Sequence, residues 1–141
     1  MANTAGVTGA AKQAALGAIV NGKTLKAALY LASATTGPSN AAYTATGELA
    51  ATGNYSAGGA SVTNANTAGL TGTTAYWTPS ASVSWTNLTS SGAFDAVMIY
   101  STTDTNRSIS MHTFGSQSVT AGNFSLTMPT NDSSTGLVRF A

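Results

Sequence analysis

Beyond Gly22 the apolar residues of this chain come in short runs that alternate with polar ones, and each run ends at a cluster of Gly, Asn or Ser. A period of two places successive side chains on opposite faces of a strand, whereas a helix needs apolar residues three and four apart. The runs predict eight strands, at 25–31, 60–64, 73–78, 82–86, 94–101, 108–114, 123–128 and 136–140. In 108–114, Ile109, Met111 and Thr113 alternate with Ser110, His112 and Phe114; in 123–128, Phe124, Leu126 and Met128 alternate with Ser125 and Thr127. The run 94–100 is apolar on both sides of the pleat, as expected for a strand buried on two faces. Short strands with turn signals at this spacing predict an all-β fold, a sandwich or a closed barrel. Leu29, Leu31, Val97, Ile99, Ile109, Met111, Phe124, Leu126 and Val138 are its expected core. The mixed, Gly-punctuated segment 43–57 reads as a long structured loop or a short edge strand.

One segment has the other period. In AAKQAALGAIV, residues 10–20, Leu16, Ile19 and Val20 share one helical face while Lys12 and Gln13 can face water. Thr8 is the expected N-cap and Asn21-Gly22 the stop. A helix this short is marginal alone, so its apolar stripe must dock either on its own domain or on a neighbouring subunit.

The surface is as unusual as the pattern. Only five basic and four acidic residues occur among 141, whereas an ordinary soluble domain carries about a quarter charged residues. Thr, Ser, Asn, Gly and Ala take their place, and a near-zero net charge favours association. Such a chain is expected to work packed against copies of itself or a larger scaffold. A net charge of +1 argues against a nucleic-acid binder, which needs a strongly basic surface. A mass of 14.0 kDa fits one domain, read as an N-terminal arm with a short helix at 1–24 and a β-domain at 25–141. The basic residues Lys12, Lys23 and Lys26 precede the first acid, Glu48, and mark a place for an electrostatic contact. No signal-peptide pattern opens the chain, and the apolar stretch 14–20 is far short of the roughly 20 residues a membrane-crossing helix needs. The chain is therefore expected to be made and folded in a cytoplasm, with no membrane partner.

Little in the sequence suggests chemistry. His112 is the only histidine and so the only side chain whose ordinary pKa suits proton transfer near neutrality. Glu48, Asp95, Asp104 and Asp132 are scattered, with no paired-carboxylate spacing, and Asp104 and Asp132 have the neighbours of turn-capping acids. With no Cys and one His, no metal-ligand cluster is legible. Gly58-Gly59 and the glycines of 69–72 lack the strand, Lys and helix of a phosphate loop and read as turns. Asn54, Asn87, Asn106, Asn123 and Asn131 each open an N-x-Ser/Thr sequence, a pattern that chance supplies in a chain so rich in hydroxyls. No catalytic, metal-binding or cofactor-binding residue and no small-molecule substrate is expected. The rings of Trp77, Trp85, Tyr76, Tyr30, Tyr43 and Tyr55 could either stack on a sugar or pack in a core and an interface. Because Tyr76 and Trp77 are adjacent in a strand, they must point to opposite faces, and one of them is expected to anchor a protein interface. With it go Leu16, Ile19 and Val20 on the helix and Lys12, Lys23 and Lys26 beside it.

The stretches LKAALYLASA, NAAYTATGELAATGNYSAGG and FDAVMIYSTTDTNRSISMHTFGSQSVTAGNFSLTMP resemble small virion proteins of tailed bacteriophages, among them the capsid cement or decoration proteins. The chain is similar to the cement proteins of short-tailed phages over about 25–129. The markers are the AYTATGE turn, the 55–59 element and the closing strand pair. The resemblance implies an antiparallel β-sandwich, a jelly roll of about eight strands. It would sit on the outer surface of the virion and bind the major capsid protein, itself associating as a dimer or trimer. It brings no catalytic residues. Strand order leaves no local signature, so other sandwich topologies stay open at this point. The alternative function is a carbohydrate-binding β-sandwich of a phage tail or surface spike, using the Trp and Tyr rings. The N-terminal 24 residues lie outside the resemblance.

Overall fold

Thr8 opens the first element. Its hydroxyl accepts the Ala11 N–H at 3.3 Å, one of the donors that a helix start leaves unpaired, and α1 runs Gly9–Val20. The computed structural model describes residues 2–141; Met1, the first residue of the expected arm, lies outside them. Leu16 and Val20 on α1 are fully buried, so the helix stripe docks on the chain's own core. Its far end is closed by Asn21, whose N–H bonds the Gly17 carbonyl.

Among the described residues nine strands follow, in antiparallel sheets. They are β1 (Leu25–Leu31), β2 (Ala60–Val62), β3 (Gly69–Thr71), β4 (Thr74–Trp77), β5 (Val83–Leu88), β6 (Phe94–Ser101), β7 (Arg107–Gln117), β8 (Gly122–Leu126) and β9 (Val138–Phe140). One central sheet has the order β2-β1-β6-β7, a second β3-β4-β9, and a third pairs β5 with β8. Three of the pairings are nested along the chain: β4 with β9, β5 with β8 inside that, and β6 with β7 innermost.

The ninth strand is β3, at a place where the glycines alone suggest a turn. Gly69 stands opposite Tyr76, and a Cβ there would collide with the Tyr76 ring. The bare glycine backbone is thus what the tyrosine ring covers.

All three sheets contribute to one core. Trp77, Phe94, Leu16, Leu25, Leu29, Leu49, Leu88 and Ile99 are its largest fully buried members. Phe94 meets Phe124 edge-on at a centroid distance of 4.9 Å, an arrangement favoured by the ring quadrupoles. The opposite face of the central sheet is buried as well, by Ala28, Tyr30, Ala96, Met98 and Tyr100 under Ala34, Tyr43 and Met111. Strand β6 is therefore covered on both faces, with all but Asp95 buried, and the doubly apolar run 94–100 finds its explanation there.

The expected core needs correction at β7. Val97 pairs with His112 and Ile99 with Ser110. Facing residues of a ladder share a side, so His112, Ser110 and Phe114 look toward the main core. Met111, opposite Met98, looks toward the second face. A register shift between Ile99 and Tyr100 lets Ile109 pack on the main core too. Ile109, Met111, Leu31, Phe124, Leu126 and Val138 are only half-buried.

Candidate protein interface

The segment between β1 and β2 is held by one buried carboxylate. Glu48 reaches β1 through a bridge to Tyr30, and the Leu31 N–H bonds Gly47 while the Leu49 N–H bonds Leu29. Its side chain, with the residue 8% exposed, accepts the Tyr55 hydroxyl at 2.8 Å and the Gly58 N–H at 2.7 Å on Oε1. The Tyr43 hydroxyl donates to Oε2. A buried carboxylate is tolerated when donors replace its water, and here three do. Around it, the Tyr30 hydroxyl donates to the Thr44 carbonyl and the Tyr100 hydroxyl to the Gly58 carbonyl, both at 2.7 Å. The Tyr43 ring stacks on Tyr100 at 4.7 Å. Gly59 has a φ of 79°, and a Cβ there would strike the Ala27 carbonyl, so glycine lets this loop lie flat on β1.

Burial, with the nearby Glu48 charge, pushes the Tyr30 hydroxyl up to about 12 and holds Tyr43, Tyr55 and Tyr100 above the ordinary tyrosine range. With both carboxylate oxygens bonded and four hydroxyls locked neutral, this cluster is a clamp on the loop and offers no free group for proton transfer. The sequence signal was present in the AYTATGE and 55–59 stretches, because Glu48 is the only acid before Asp95 and has Tyr43 and Tyr55 on either side.

The other singled-out residues fall in separate places. Leu16 and Val20 are inside, and Ile19 is half-buried. A contact made by the helix must therefore use its other residues, chiefly the exposed Ala11, Ala14, Ala15 and Ala18. Trp77 is fully buried, its Nε1–H donating to Asn64 Oδ1 at 3.1 Å. Tyr76 is thus the outward ring of the pair, lying half-exposed over Gly69. The lysines do not form one group. Lys12 donates to the Thr73 carbonyl at 3.2 Å, Lys23 pairs with Asp104 at 3.0 Å, and Lys26 stands on β1 beside Tyr100 of β6.

The rings proposed as a sugar platform are also dispersed. Trp77, Trp85, Tyr30 and Tyr55 are buried, leaving only Tyr43 and Tyr76 half-exposed. His112 lines an apolar cleft of about 190 Å³ with Val97, Phe114, Leu126 and Met128. Its Nε2 lies 2.9 Å from Ser110 Oγ, and burial lowers its pKa. No acid lines that cleft to orient the imidazole. Among the described residues no group of three or more His, Cys, Asp or Glu side chains comes together, and no helix is long and apolar enough to cross a membrane.

The fold and these sites define an antiparallel all-β chain with one docked helix, a surface built from hydroxyls and amides, and a tyrosine clamp around one buried carboxylate. No family model, no curated protein and no solved structure matches it.

Proposed function

We propose that this chain is a non-enzymatic structural protein of a phage virion, binding the outer surface of the capsid and cementing neighbouring major capsid proteins against internal pressure. The observation that carries the reading is the near absence of charge on a well-packed β-fold. Only nine Lys, Arg, Asp and Glu residues are spread over the chain, and one of them, Glu48, is consumed in an internal clamp. A surface of neutral hydrogen-bonding groups can bridge subunits with little screening by salt, and fixing short Thr, Ser and Asn side chains costs less entropy than fixing Lys or Glu. The resemblance of 25–129 to cement proteins points the same way.

The same reading takes the architecture as a β-sandwich of jelly-roll type. Its support is the shared core beneath three sheets and the nested pairing of β4 with β9, β5 with β8 and β6 with β7, the pairing of one long hairpin rolled up. The chain associates with itself as a dimer or trimer through uncharged surface, in which Tyr76 is the candidate aromatic anchor.

Particles assembled without this chain test the proposal. They are expected to form shells that release DNA or rupture at a lower temperature than complete particles, and adding the purified chain should restore the heat resistance. Equal heat resistance with and without it would sink the cement role.

A further inference from the structure

We propose that the end of the central sheet that carries the β6–β7 turn is a docking surface for an acidic surface on a partner protein. That the partner is a capsid shell rests on the function proposed above; the acidic chemistry rests on the charges themselves.

The topology gathers at this end residues that are distant in sequence. Lys26 stands opposite Tyr100, and Ser101 one row on stands opposite Arg107. Lys23 pairs with Asp104 in the turn. Three of the five basic residues therefore meet here against one acid, an excess of two positive charges on a chain whose net charge is +1. Of the other acids, Glu48 is enclosed in its clamp, on the loop whose Gly58 lies close to the half-buried Lys26 ammonium, Asp95 lies at the far end of β6, and Asp132 caps the loop before β9. Asp104 pairs with Lys23 and also feels the Arg107 charge, while the Lys26 and Arg107 side chains have no hydrogen-bond partner among the described residues. They leave the sheet on opposite faces, so the positive potential wraps its end.

This end is also rigid. The Thr102 N–H bonds the Thr24 carbonyl at 3.0 Å, and the Thr24 N–H bonds the Thr103 hydroxyl at 3.0 Å, stapling the α1–β1 connection to the turn. Asp104 is held from both sides, by Lys23 and by the Ser101 hydroxyl. Thr105 has a φ of 57° and Asn106 one of 59°, and a β-branched residue in that region is strained. A stapled, strained turn presenting the exposed side chains of Thr102, Thr103, Thr105, Asn106 and Arg107 is pre-organised, which lowers the entropic cost of docking. Hydroxyls beside two free cations suit carboxylates of a protein surface. A nucleic-acid backbone instead rewards a long array of cations, and this end has two free ones.

The test uses the whole chain. Binding to poly-L-glutamate-coated beads is measured at low and at physiological salt for the wild type, for K26E/R107E, for the milder R107Q, and for T52E/T86E/S118E/T120E, which changes net charge equally at exposed positions away from the β6–β7 turn. Thermal melts check folding. The wild type should bind at low salt and release as salt rises, K26E/R107E should bind about tenfold more weakly, R107Q should weaken in the same direction, and T52E/T86E/S118E/T120E should hold. Should K26E/R107E not fold, R107Q decides. Absence of wild-type binding, equal loss in T52E/T86E/S118E/T120E, or tighter binding to duplex DNA than to poly-L-glutamate would each overturn the inference. Rebinding to shells assembled without the chain separates it from the proposed function. If the wild type rebinds and K26E/R107E rebinds equally, the acidic-partner surface falls and the cement role stands. If the wild type ignores shells while the bead result holds, the cement role falls and the surface stands.

Discussion

The Tyr55 hydroxyl donates to Glu48 Oε1 at 2.8 Å and accepts the Leu29 N–H at 2.9 Å. One side chain from the long β1–β2 loop thus serves a buried charge and an otherwise unpaired donor on β1 at once. The loop is thereby tied to the edge of β1 on the main-core side, and through Glu48 it also fixes Tyr43, whose ring stacks on Tyr100 and helps to cover the second face of β6. A protein that bridges neighbours gains from such a tie, because a surface that yields locally transmits no load.

Removing the clamp should therefore cost more than one hydrogen bond. Glu48→Gln replaces an acceptor by an amide whose N–H₂ faces donors, leaving at least one buried group unpaired, at about 2–3 kcal/mol. For a chain of this size that is a fall in melting temperature of roughly 5–10 °C. Tyr55→Phe should cost about 2 kcal/mol by orphaning the Leu29 N–H. Circular dichroism melts of both variants check this, and a fall below about 1 °C in either would show the clamp to be incidental.

The tyrosines predict the alkaline limit of the fold. Their pKa values are raised in the folded state, chiefly by burial. The neutral form is the folded one, so this stabilisation is complete below the unfolded value of about 10. It is lost as pH rises from there through the folded values, about 12 for Tyr30. Tyrosinate absorbance at 295 nm and circular dichroism, followed together, should show these four rings ionising only as the fold is lost. Ionisation of all five tyrosines near pH 10 with the native spectrum intact would contradict the clamp geometry.

How much of this the sequence revealed depended on whether the cause was local. The helix stripe of Leu16 and Val20 and its Thr8 cap are set by neighbours three and four residues apart, so periodicity found them. Strand β3 escaped because Gly69 gains its partner from Tyr76 across the ladder, which no local pattern records. The facing of β7 is legible only in part, because alternation leaves open which side is the core and a register shift returns Ile109 to the main core while Met111 faces the other way. The outward member of the Tyr76–Trp77 pair was undecided for the same reason. Glu48 was seen as a scattered acid since its three donors come from Tyr43, Tyr55 and Gly58, brought together only by the folded loop. The lysines were grouped by sequence order, and the fold separated Lys12 from Lys23 and Lys26 and brought in Arg107.

Asn64 is a second residue whose role only the fold shows. Its Nδ2 donates to the Val20 and Lys23 carbonyls at 2.6 and 3.0 Å, and its Oδ1 accepts the Trp77 Nε1–H. It ties the end of α1 to β4, where the helix carbonyls lack intrahelical partners. Asn64→Ala should destabilise by about 2 kcal/mol. Asn64→Asp, which keeps the acceptor for Trp77 and loses both donors, should still be clearly destabilised. If instead Asn64→Asp melts like the wild type, the helix tie contributes nothing and the Trp77 bond alone accounts for the alanine variant.

His112 gives the neutral-to-acid behaviour of the fold. It is the only histidine, and the cleft it lines carries no other titratable side chain, so burial alone lowers its pKa. The unfolded chain binds the proton at the ordinary value of about 6.5, while the folded chain takes it up only at lower pH. Stability is therefore full above about pH 6.5 and falls as pH drops through the folded value. His112→Gln keeps a polar group that can meet Ser110 and removes the titration. Melting temperatures between pH 7.5 and pH 5 should fall for the wild type and stay nearly level for His112→Gln. A parallel fall in both would assign the acid sensitivity to the carboxylates and leave His112 a packing residue of β7.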